Sequence, residues 1–292
     1  MGKIVRCISQ FGDLTIMAVN STDMVQRAHE IHSTSKVASA ALGRLLTAAS
    51  MMGAVLKGKD SSVTLRINGG GPVGSVIAVS DSDGNVRGYI GDASVELPLN
   101  AKGKLDVAGA IGTDGFVTVI KDLGMKEPYI GQTPILTGEV AEDITSYFAS
   151  SEQTPTVCAL GVLVSSETRE IITAGGFIIQ LLPTAMEDTI EKVERCIKDI
   201  EPVTTMLTKG MSPEEICKKV LSEFDLDVLD ESEVAYKCTC TKERVEKALI
   251  STGVEALEEM AEDEKTELSC NFCDKKYVFT SEEIKKILRK SK

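Results

Sequence analysis

The sequence predicts an α+β protein: a mostly antiparallel sheet packed with helices, then a helical connector and a small cysteine-rich unit. Three observations lead to this prediction. Short runs of alternating apolar residues fill residues 61–138 and are separated by hairpin-length turns. Residues 35–56 form one long stretch that is rich in Ala, Leu and Met. Two close cysteine pairs stand near the C-terminus.

The N-terminal residues predict a β-hairpin followed by two helices. Residues 3–19 alternate, are rich in Ile and Val, and break at Gly12-Asp13, which is typical of two paired strands. From Ser21 the apolar spacing becomes that of a helix. Residues 35–56 predict a second helix, so apolar that other elements must cover most of its sides.

Most of the sheet is predicted to come from residues 61–182. The expected strands are 63–67, 75–79, 86–90, 115–121, 135–140, 157–164 and 171–182. Residues 141–150 return to helical spacing. Because strands follow one another through hairpin-length connections, the sheet should be antiparallel with its helices segregated.

The composition changes after Pro183. Apolar residues from Met186 to Ile200 recur at spacings of three and four, which is the pattern of an amphipathic helix. The Ser-Pro-Glu-Glu sequence beginning at Ser212 places an N-cap, a first-turn proline and a capping glutamate in order, so a second helix should start there. Residues 187–233 carry 14 acidic and 6 basic side chains. We therefore predict a charged helical connector with one apolar face.

The four C-terminal cysteines predict a metal site. They occur as Cys238-Thr-Cys240 and Cys270-Asn-Phe-Cys273, with 29 residues between the pairs. Two close pairs separated in this way are the ligand pattern of a tetrahedral zinc site. A small unit with little core also needs such a staple to fold. The alternative is that these thiols are free or incidental. The Cys-x-Cys half departs from the Cys-x-x-Cys pairs of the common zinc ribbon, so a ribbon fold is not predicted.

These changes divide the chain into three predicted parts: an α+β domain over 1–183, an acidic helical connector over 184–234, and a zinc unit over 235–292. Within the last part we expect helices over 241–250 and 254–260, a hairpin over 268–273 and 276–279, and a final helix capped near residue 281.

Composition excludes several functions. A net charge of −12 argues against nucleic acid and anionic membrane surfaces as partners. The N-terminus lacks a signal-peptide pattern, and the longest apolar run, 157–164, is too short to span a bilayer. Eight cysteines without an export signal indicate a reducing cytoplasm. The other four, Cys7, Cys158, Cys196 and Cys217, are scattered and predicted to be buried small hydrophobic residues.

Three further motifs have a plainer structural interpretation. The glycine-rich sequence from Gly69 matches a nucleotide-binding fingerprint, but a strand rather than a helix should follow it. The acidic loop from Asp81 lacks the glutamate that a calcium loop needs at its twelfth position. His29 and His32 could share a metal, but a surface or capping role is favoured. No phosphate-binding loop is readable, so ATP use is unsupported. No Ser/His/Asp set is readable either.

The residues alone leave the role of the zinc site open between a structural staple and a redox sensor. Oxidation of a thiolate removes a metal ligand, and small zinc units unfold without metal, which would uncover the apolar face of the connector. Two other functions compete. A thiol–disulfide oxidoreductase would need an exposed, metal-free dithiol in a thioredoxin-like context. A zinc-stapled nucleic-acid-binding protein is disfavoured by the charge.

Several segments carry a resemblance to one family. They are 66–72, 84–89, 138–148, 175–177, 180–183 and, most specifically, the Cys-x-Cys and Cys-x-x-Cys pairs. The chain resembles the redox-regulated heat-shock chaperones, also called the 33 kDa chaperonins. The resemblance covers the whole chain, and these segments carry it.

The resemblance implies a non-enzymatic, ATP-independent holdase of the bacterial cytoplasm. It implies that the reduced protein holds one zinc ion through Cys238, Cys240, Cys270 and Cys273 and is largely inactive. Oxidation would release zinc and form the disulfides Cys238–Cys240 and Cys270–Cys273. The connector and cysteine unit would then loosen, and a homodimer would bind unfolded or partly folded client proteins.

Overall fold

The computed structural model describes residues 2–291, and the side chains of residues 2–290. The chain forms two compact units, Met1–Lys237 and Cys238–Lys292. The elements of the larger unit are, in chain order, β1 (Gly2–Ser9), β2 (Leu14–Asn20), α1 (Thr22–His32), α2 (Lys36–Ala54), β3 (Ser62–Asn68), β4 (Val76–Asp81), β5 (Val86–Ile90), α3 (Val107–Ile111), β6 (Phe116–Asp122), β7 (Tyr129–Pro134), α4 (Val140–Ser150), β8 (Thr156–Val164), β9 (Ile171–Leu181), α5 (Glu187–Lys198), α6 (Val203–Thr208), α7 (Pro213–Val220) and β10 (Leu226–Val234).

One five-stranded sheet, called sheet A, has the strand order β10-β1-β2-β9-β8, and each neighbouring pair is antiparallel. The predicted N-terminal hairpin is confirmed as β1 and β2, paired from Lys3↔Asn20 to Ile8↔Thr15. The interior strand β9 is buried over most of its length because helices cover both faces of the sheet. This explains why its sequence is continuously apolar instead of alternating.

The second five-stranded sheet, sheet B, has the order β5-β4-β3-β6-β7 and is also antiparallel. The prediction of a strand over residues 135–140 was wrong, since β7 lies earlier and residue Val140 begins α4. β7 ends at Pro134, on the edge of the sheet, where the missing backbone donor is tolerated. With two antiparallel sheets and packed helices, the predicted α+β class is confirmed.

Helix α2 packs against both sheets and forms the centre of the main core. Ser35 caps it by accepting a hydrogen bond from the Ala38 amide, and Leu45 and Leu46 are fully buried. Among the described residues it is the one helix long and apolar enough to cross a membrane by length and composition. Because nearly all of this helix is buried inside the protein, it is better explained as a core helix.

The connector helices cover the other face of sheet A. A second core cluster joins sheet residues to helix residues across this interface; it includes Val5, Cys7, Leu14, Ile16, Phe177, Ile179, Val193, Val203, Met206, Ile216, Cys217 and Val220. Helix α5 matches the predicted amphipathic segment, and the predicted capping box of α7 is present at Ser212 and Glu215. The apolar residues that recur from Met186 to Ile200 are covered unevenly, since Val193 is buried whereas Met186 is 73% exposed.

The segment predicted as a helical connector also contains a strand, which the sequence did not indicate. β10 pairs with β1 along the edge of sheet A, and one extra residue on β10 bulges between Asp230 and Val228. The chain then reaches sheet B, where Val86 N donates to Ala235 O and Lys237 N donates to Val86 O. Residues 184–234 thus belong to the larger unit, and the three-part division remains a prediction.

The smaller unit contains α8 (Lys242–Ser251), α9 (Val254–Met260), β11 (Lys265–Ser269), β12 (Lys276–Thr280) and α10 (Ser281–Ser291). β11 and β12 form an antiparallel hairpin. Its core is small and made of the buried residues Leu249, Leu257, Ala261, Tyr277, Phe279, Ile284 and Ile287.

Candidate metal centre in the C-terminal unit

The two cysteine pairs lie in two different local structures of the smaller unit. Cys238 and Cys240 occupy an extended segment directly before α8, whose N-cap Thr241 accepts a hydrogen bond from the Arg244 amide. Cys270 and Cys273 occupy the turn between β11 and β12. Each cysteine pair is therefore adjacent to regular secondary structure: the first pair precedes α8, and the second pair lies between β11 and β12.

The turn between the strands is closed by the backbone. The amides of Cys273 and Asp274 donate to the Cys270 carbonyl at 3.2 and 2.9 Å. Asp274 takes a left-handed conformation with a φ of 54°, which aspartate tolerates better than most residues. This tight reversal places the two cysteines of the pair on one side of the hairpin end.

The four sulfur atoms converge on one point. All lie within 4.8 Å of one another. The Sγ atoms of Cys238 and Cys270 are 3.8 Å apart, and those of Cys240 and Cys273 are 3.4 Å apart. In a tetrahedral zinc–thiolate centre, Zn–S bonds of about 2.3 Å place the sulfurs about 3.8 Å apart. The four cysteines are therefore arranged to hold one metal ion, although their role as ligands remains a prediction.

A tyrosine that the sequence did not indicate supports this cluster. The Tyr277 hydroxyl donates a hydrogen bond to Cys240 Sγ at 3.0 Å. Burial alone would raise the pKa of Cys240, but the hydrogen bonds from Tyr277 and from the neighbouring thiols lower that pKa to about 7. Burial raises the pKa values of Cys238 and Cys273 instead. Cys240 thus ionises more readily than Cys238 or Cys273.

The other motifs have structural roles. Asp81 Oδ1 accepts hydrogen bonds from the amides of Asp83 and Asn85, as in an ordinary turn. His29 Nδ1 lies 3.1 Å from Thr34 Oγ1, whereas His32 Nε2 lies 2.9 Å from the Gly88 carbonyl, so the two rings face different partners.

The glycine-rich loop also serves the fold. A Cβ atom added at Gly69 or Gly71 would collide with the backbone around Gly112, so glycine is needed for close packing against the end of α3. Strand β4 follows this loop, as predicted, and the helix that a nucleotide site requires does not.

Comparison with known proteins identifies the family. A family model described as Hsp33 protein matches residues 2–280. The chain belongs to the Hsp33 family. The 33 kDa chaperonin of Clostridium beijerinckii is 48% identical over 291 residues, covering 99% of both chains. That of Lachnoclostridium phytofermentans is 49% identical over 289 residues, covering 99% of this chain and 98% of its own.

A solved structure agrees with the Hsp33 assignment. The crystal structure of the 33 kDa chaperonin from Thermotoga maritima, a heat shock protein 33 homolog, superposes with a TM-score of 0.89 at 36% identity. The match covers 98% of this chain and 97% of the other. The predicted resemblance is therefore confirmed, and the chain is a member of a chaperone family whose relatives carry chaperonin and heat-shock names.

Proposed function

We propose that this Hsp33 protein is an ATP-independent holdase that is inactive when reduced and metal-bound and is activated by oxidation. One observation carries the proposal: short, charged connector helices cover an apolar face of sheet A, and the same segment leads directly into the four-cysteine cluster. A chaperone needs apolar surface for its clients, and a regulated chaperone needs that surface covered at rest.

The proposed ligands in the reduced state are the thiolates of Cys238, Cys240, Cys270 and Cys273. Zinc is the expected metal because four thiolates in a closed tetrahedral set are its typical structural site. When bound, the ion supplies folding free energy on the order of 10 kcal/mol to a small unit. That contribution is large against a core of only a few buried side chains, such as Leu257 and Phe279.

Oxidation would act on the sulfur ligands. We assign the disulfides Cys238–Cys240 and Cys270–Cys273, as the family resemblance implies. Each disulfide forms by two-electron oxidation, in which one hydrogen peroxide accepts the electrons and two water molecules leave. A disulfide sulfur is no longer a thiolate, so the cluster loses its ligands, and the small unit loses the interaction on which its fold depends.

Loss of the cysteine unit's fold would release the connector. Helices α5, α6 and α7 have 12, 6 and 8 residues, and helices this short are marginal in water without packing partners. When they leave, the face of sheet A containing Leu14 and Phe177 is uncovered. We propose that unfolded client proteins bind there, that the oxidised protein is a homodimer, and that it works in the cytoplasm.

The test follows zinc and chaperone activity in the same sample. Zinc-loaded protein is treated with hydrogen peroxide at mild heat, and released zinc, oligomeric state and suppression of client aggregation are measured over time. We expect zinc release, dimer formation and aggregation suppression to rise together and to reverse with reductant. Zinc release without a gain in aggregation suppression would overturn the proposal, and catalytic turnover of an insulin-type disulfide would favour an oxidoreductase.

A further inference from the structure

Two cysteines outside the metal cluster meet between sheet A and the connector. Cys7 lies on β1 and Cys217 on α7; both are fully buried and belong to the same apolar cluster. Helix α7 packs on β1, and the two thiols face each other closely enough for each to shift the pKa of the other. Cys217 lowers the pKa of Cys7, whereas Cys7 and burial raise the pKa of Cys217. The fold thus brings the two thiols together although 209 residues lie between them in the sequence.

The elements around this pair can separate locally. α7 has only eight residues, and its charged side chains, such as Lys218 paired with Glu214, face solvent. On the strand side, the pairing of β1 with β10 is interrupted between Arg6 and Cys7 by a bulge. Short, bulge-flanked elements open at a lower free energy than a protein's central core does.

We infer that Cys7 and Cys217 form a second redox pair, whose oxidation to a disulfide fastens α7 to β1 and holds the connector on sheet A. This pair differs from the C-terminal cysteines in its effect. Oxidation of the four cluster cysteines would free the connector, whereas a covalent bond between β1 and α7 would restrain it. The regulatory meaning rests on the proposed function, but formation of the disulfide does not.

The chemistry needs a peroxide and one local opening. When α7 lifts, the Cys7 thiolate attacks one oxygen of hydrogen peroxide, the O–O bond breaks, and Cys7 becomes a sulfenic acid with release of water. When α7 returns, the Cys217 sulfur attacks the sulfenic sulfur; the S–S bond forms, the S–O bond breaks, and a second water leaves. Two thiols are oxidised and one peroxide is reduced. Since both thiols are fully buried at rest, this pair should oxidise more slowly than the half-buried cluster cysteines.

The first experiment detects the bond in the unaltered, zinc-loaded chain. The protein is treated with hydrogen peroxide at mild heat, free thiols are alkylated, and trypsin digestion without reductant is followed by mass spectrometry. A linked pair of peptides, residues 7–27 and 210–218, is expected to accumulate after the C-terminal disulfides and to vanish on reduction. If peroxide oxidises the C-terminal cysteines fully and prolonged exposure never yields this linked pair, the inference is wrong.

The second experiment measures the restraint. After prolonged oxidation, cleavage within residues 203–221 by a protease should be about tenfold slower in the unaltered protein than in Cys217→Ala, because a cross-link limits opening. Cys7→Ala should match Cys217→Ala, and Cys196→Ala, which alters a half-buried thiol of α5, should match the unaltered protein. Equal cleavage rates in linked and unlinked protein would overturn the clamp.

The two proposals fail separately. Linked peptides in a protein that never suppresses client aggregation would contradict the proposed holdase and leave the redox pair in place. Aggregation suppression without any linked peptide would contradict the redox pair and leave the proposed holdase in place. Because the peptide search uses the unaltered chain, it does not depend on whether an alanine variant at Cys217 folds.

Discussion

The two faces of sheet A are covered by helices of opposite character. On one face lies α2, a 19-residue helix with two charged side chains, Lys36 and Arg44, and a nearly continuous buried surface. On the other lie three short helices, of which α5 carries seven charged side chains among its 12 residues. Both covers bury apolar residues of the same strands, yet one is stable through its own length and burial and the other depends on the sheet.

This difference suggests which cover can be removed. Separating α2 would expose apolar surface all around it and would also break its contacts with sheet B, so it amounts to global unfolding. Separating the connector exposes apolar area on one face only, and its charged outer surface is already hydrated. A protein that must uncover a surface without unfolding needs one permanent and one detachable cover.

The largest expected effect comes from removing one proposed ligand. Cys273→Ser should abolish tight metal binding and remove folding free energy on the order of 10 kcal/mol from the smaller unit. We expect limited proteolysis to cut after residue 185 without any oxidant, whereas the region of α2 stays protected. Zinc content and cleavage sites are measured on the same sample.

Ser269→Ala, an exposed change next to the cysteine turn, is the matched control for that variant. It should retain zinc and resist proteolysis like the unaltered protein. If Cys273→Ser loses zinc but its connector stays as protease-resistant as in the control, the two covers of sheet A are equally permanent and the comparison fails.

A matched pair of truncations compares the covers directly. Leu45→Ala in α2 and Ile216→Ala in α7 each shorten a fully buried aliphatic side chain, and each should cost about 2–5 kcal/mol. The loss in Leu45→Ala should appear in the global free energy of unfolding measured with denaturant. The loss in Ile216→Ala should appear in local hydrogen exchange of the connector, with a much smaller global change. A full global loss in both variants would show that the connector opens only when the whole unit unfolds.

A smaller effect is expected at the start of α7. Ser212 Oγ accepts from the Glu215 amide, and the Glu215 side chain accepts from the Ser212 amide at 2.7 Å. Ser212→Ala should lower the stability of the docked helix by about 1 kcal/mol, seen as faster hydrogen exchange in α7. Ser222→Ala, an exposed serine just beyond the helix, should leave that exchange rate unchanged.

The smallest effect concerns pH. Asp13, in the β1–β2 turn, accepts a hydrogen bond from Thr189 of α5 at 2.7 Å and another from Ser9. Burial acts to raise the pKa of Asp13, but these hydrogen bonds outweigh it and lower the pKa below its usual 3.8. The docking free energy from Asp13 is therefore present above about pH 4 and is lost as the pH falls through the depressed value. The protection of backbone amides at the start of α5 against hydrogen exchange, taken relative to the intrinsic rate at each pH, should fall on acidification. Asp13→Asn should remove that dependence.

The sequence predicted the elements whose local signal agrees with their surroundings. The helix of α2, the hairpin of β1 and β2, the capping box at Ser212 and the convergence of cysteines all follow from short-range patterns. β10 was missed because an edge strand exposed on most of its length carries acidic residues where a buried strand would carry apolar ones. The strand at 135–140 was misplaced because Ile135, buried in the core, lies just past the end of β7 at Pro134, and α4 begins at Val140.

Contacts distant in sequence could not be predicted where no ligand pattern such as that of the four cysteines marks them. Tyr277 alternates along its strand like any core aromatic, and its position in the sequence does not reveal that its hydroxyl meets Cys240. The approach of Cys7 to Cys217 depends on how α7 folds back over β1, so the two thiols, read as scattered, became a pair only in three dimensions. Of the four cysteines predicted to be buried, these two are, whereas Cys158 and Cys196 are half-buried.

The route of the chain out of β10 has a mechanical consequence. Lys237 N is hydrogen-bonded to the Val86 carbonyl at 2.7 Å, and Tyr236 donates its hydroxyl proton to Gly88 O at 2.8 Å. The very next residue is Cys238. No residue separates Lys237, the last residue hydrogen-bonded to sheet B, from the first cysteine of the cluster. A displacement of the Cys238 backbone is therefore transmitted to Lys237 through the one peptide bond that joins them.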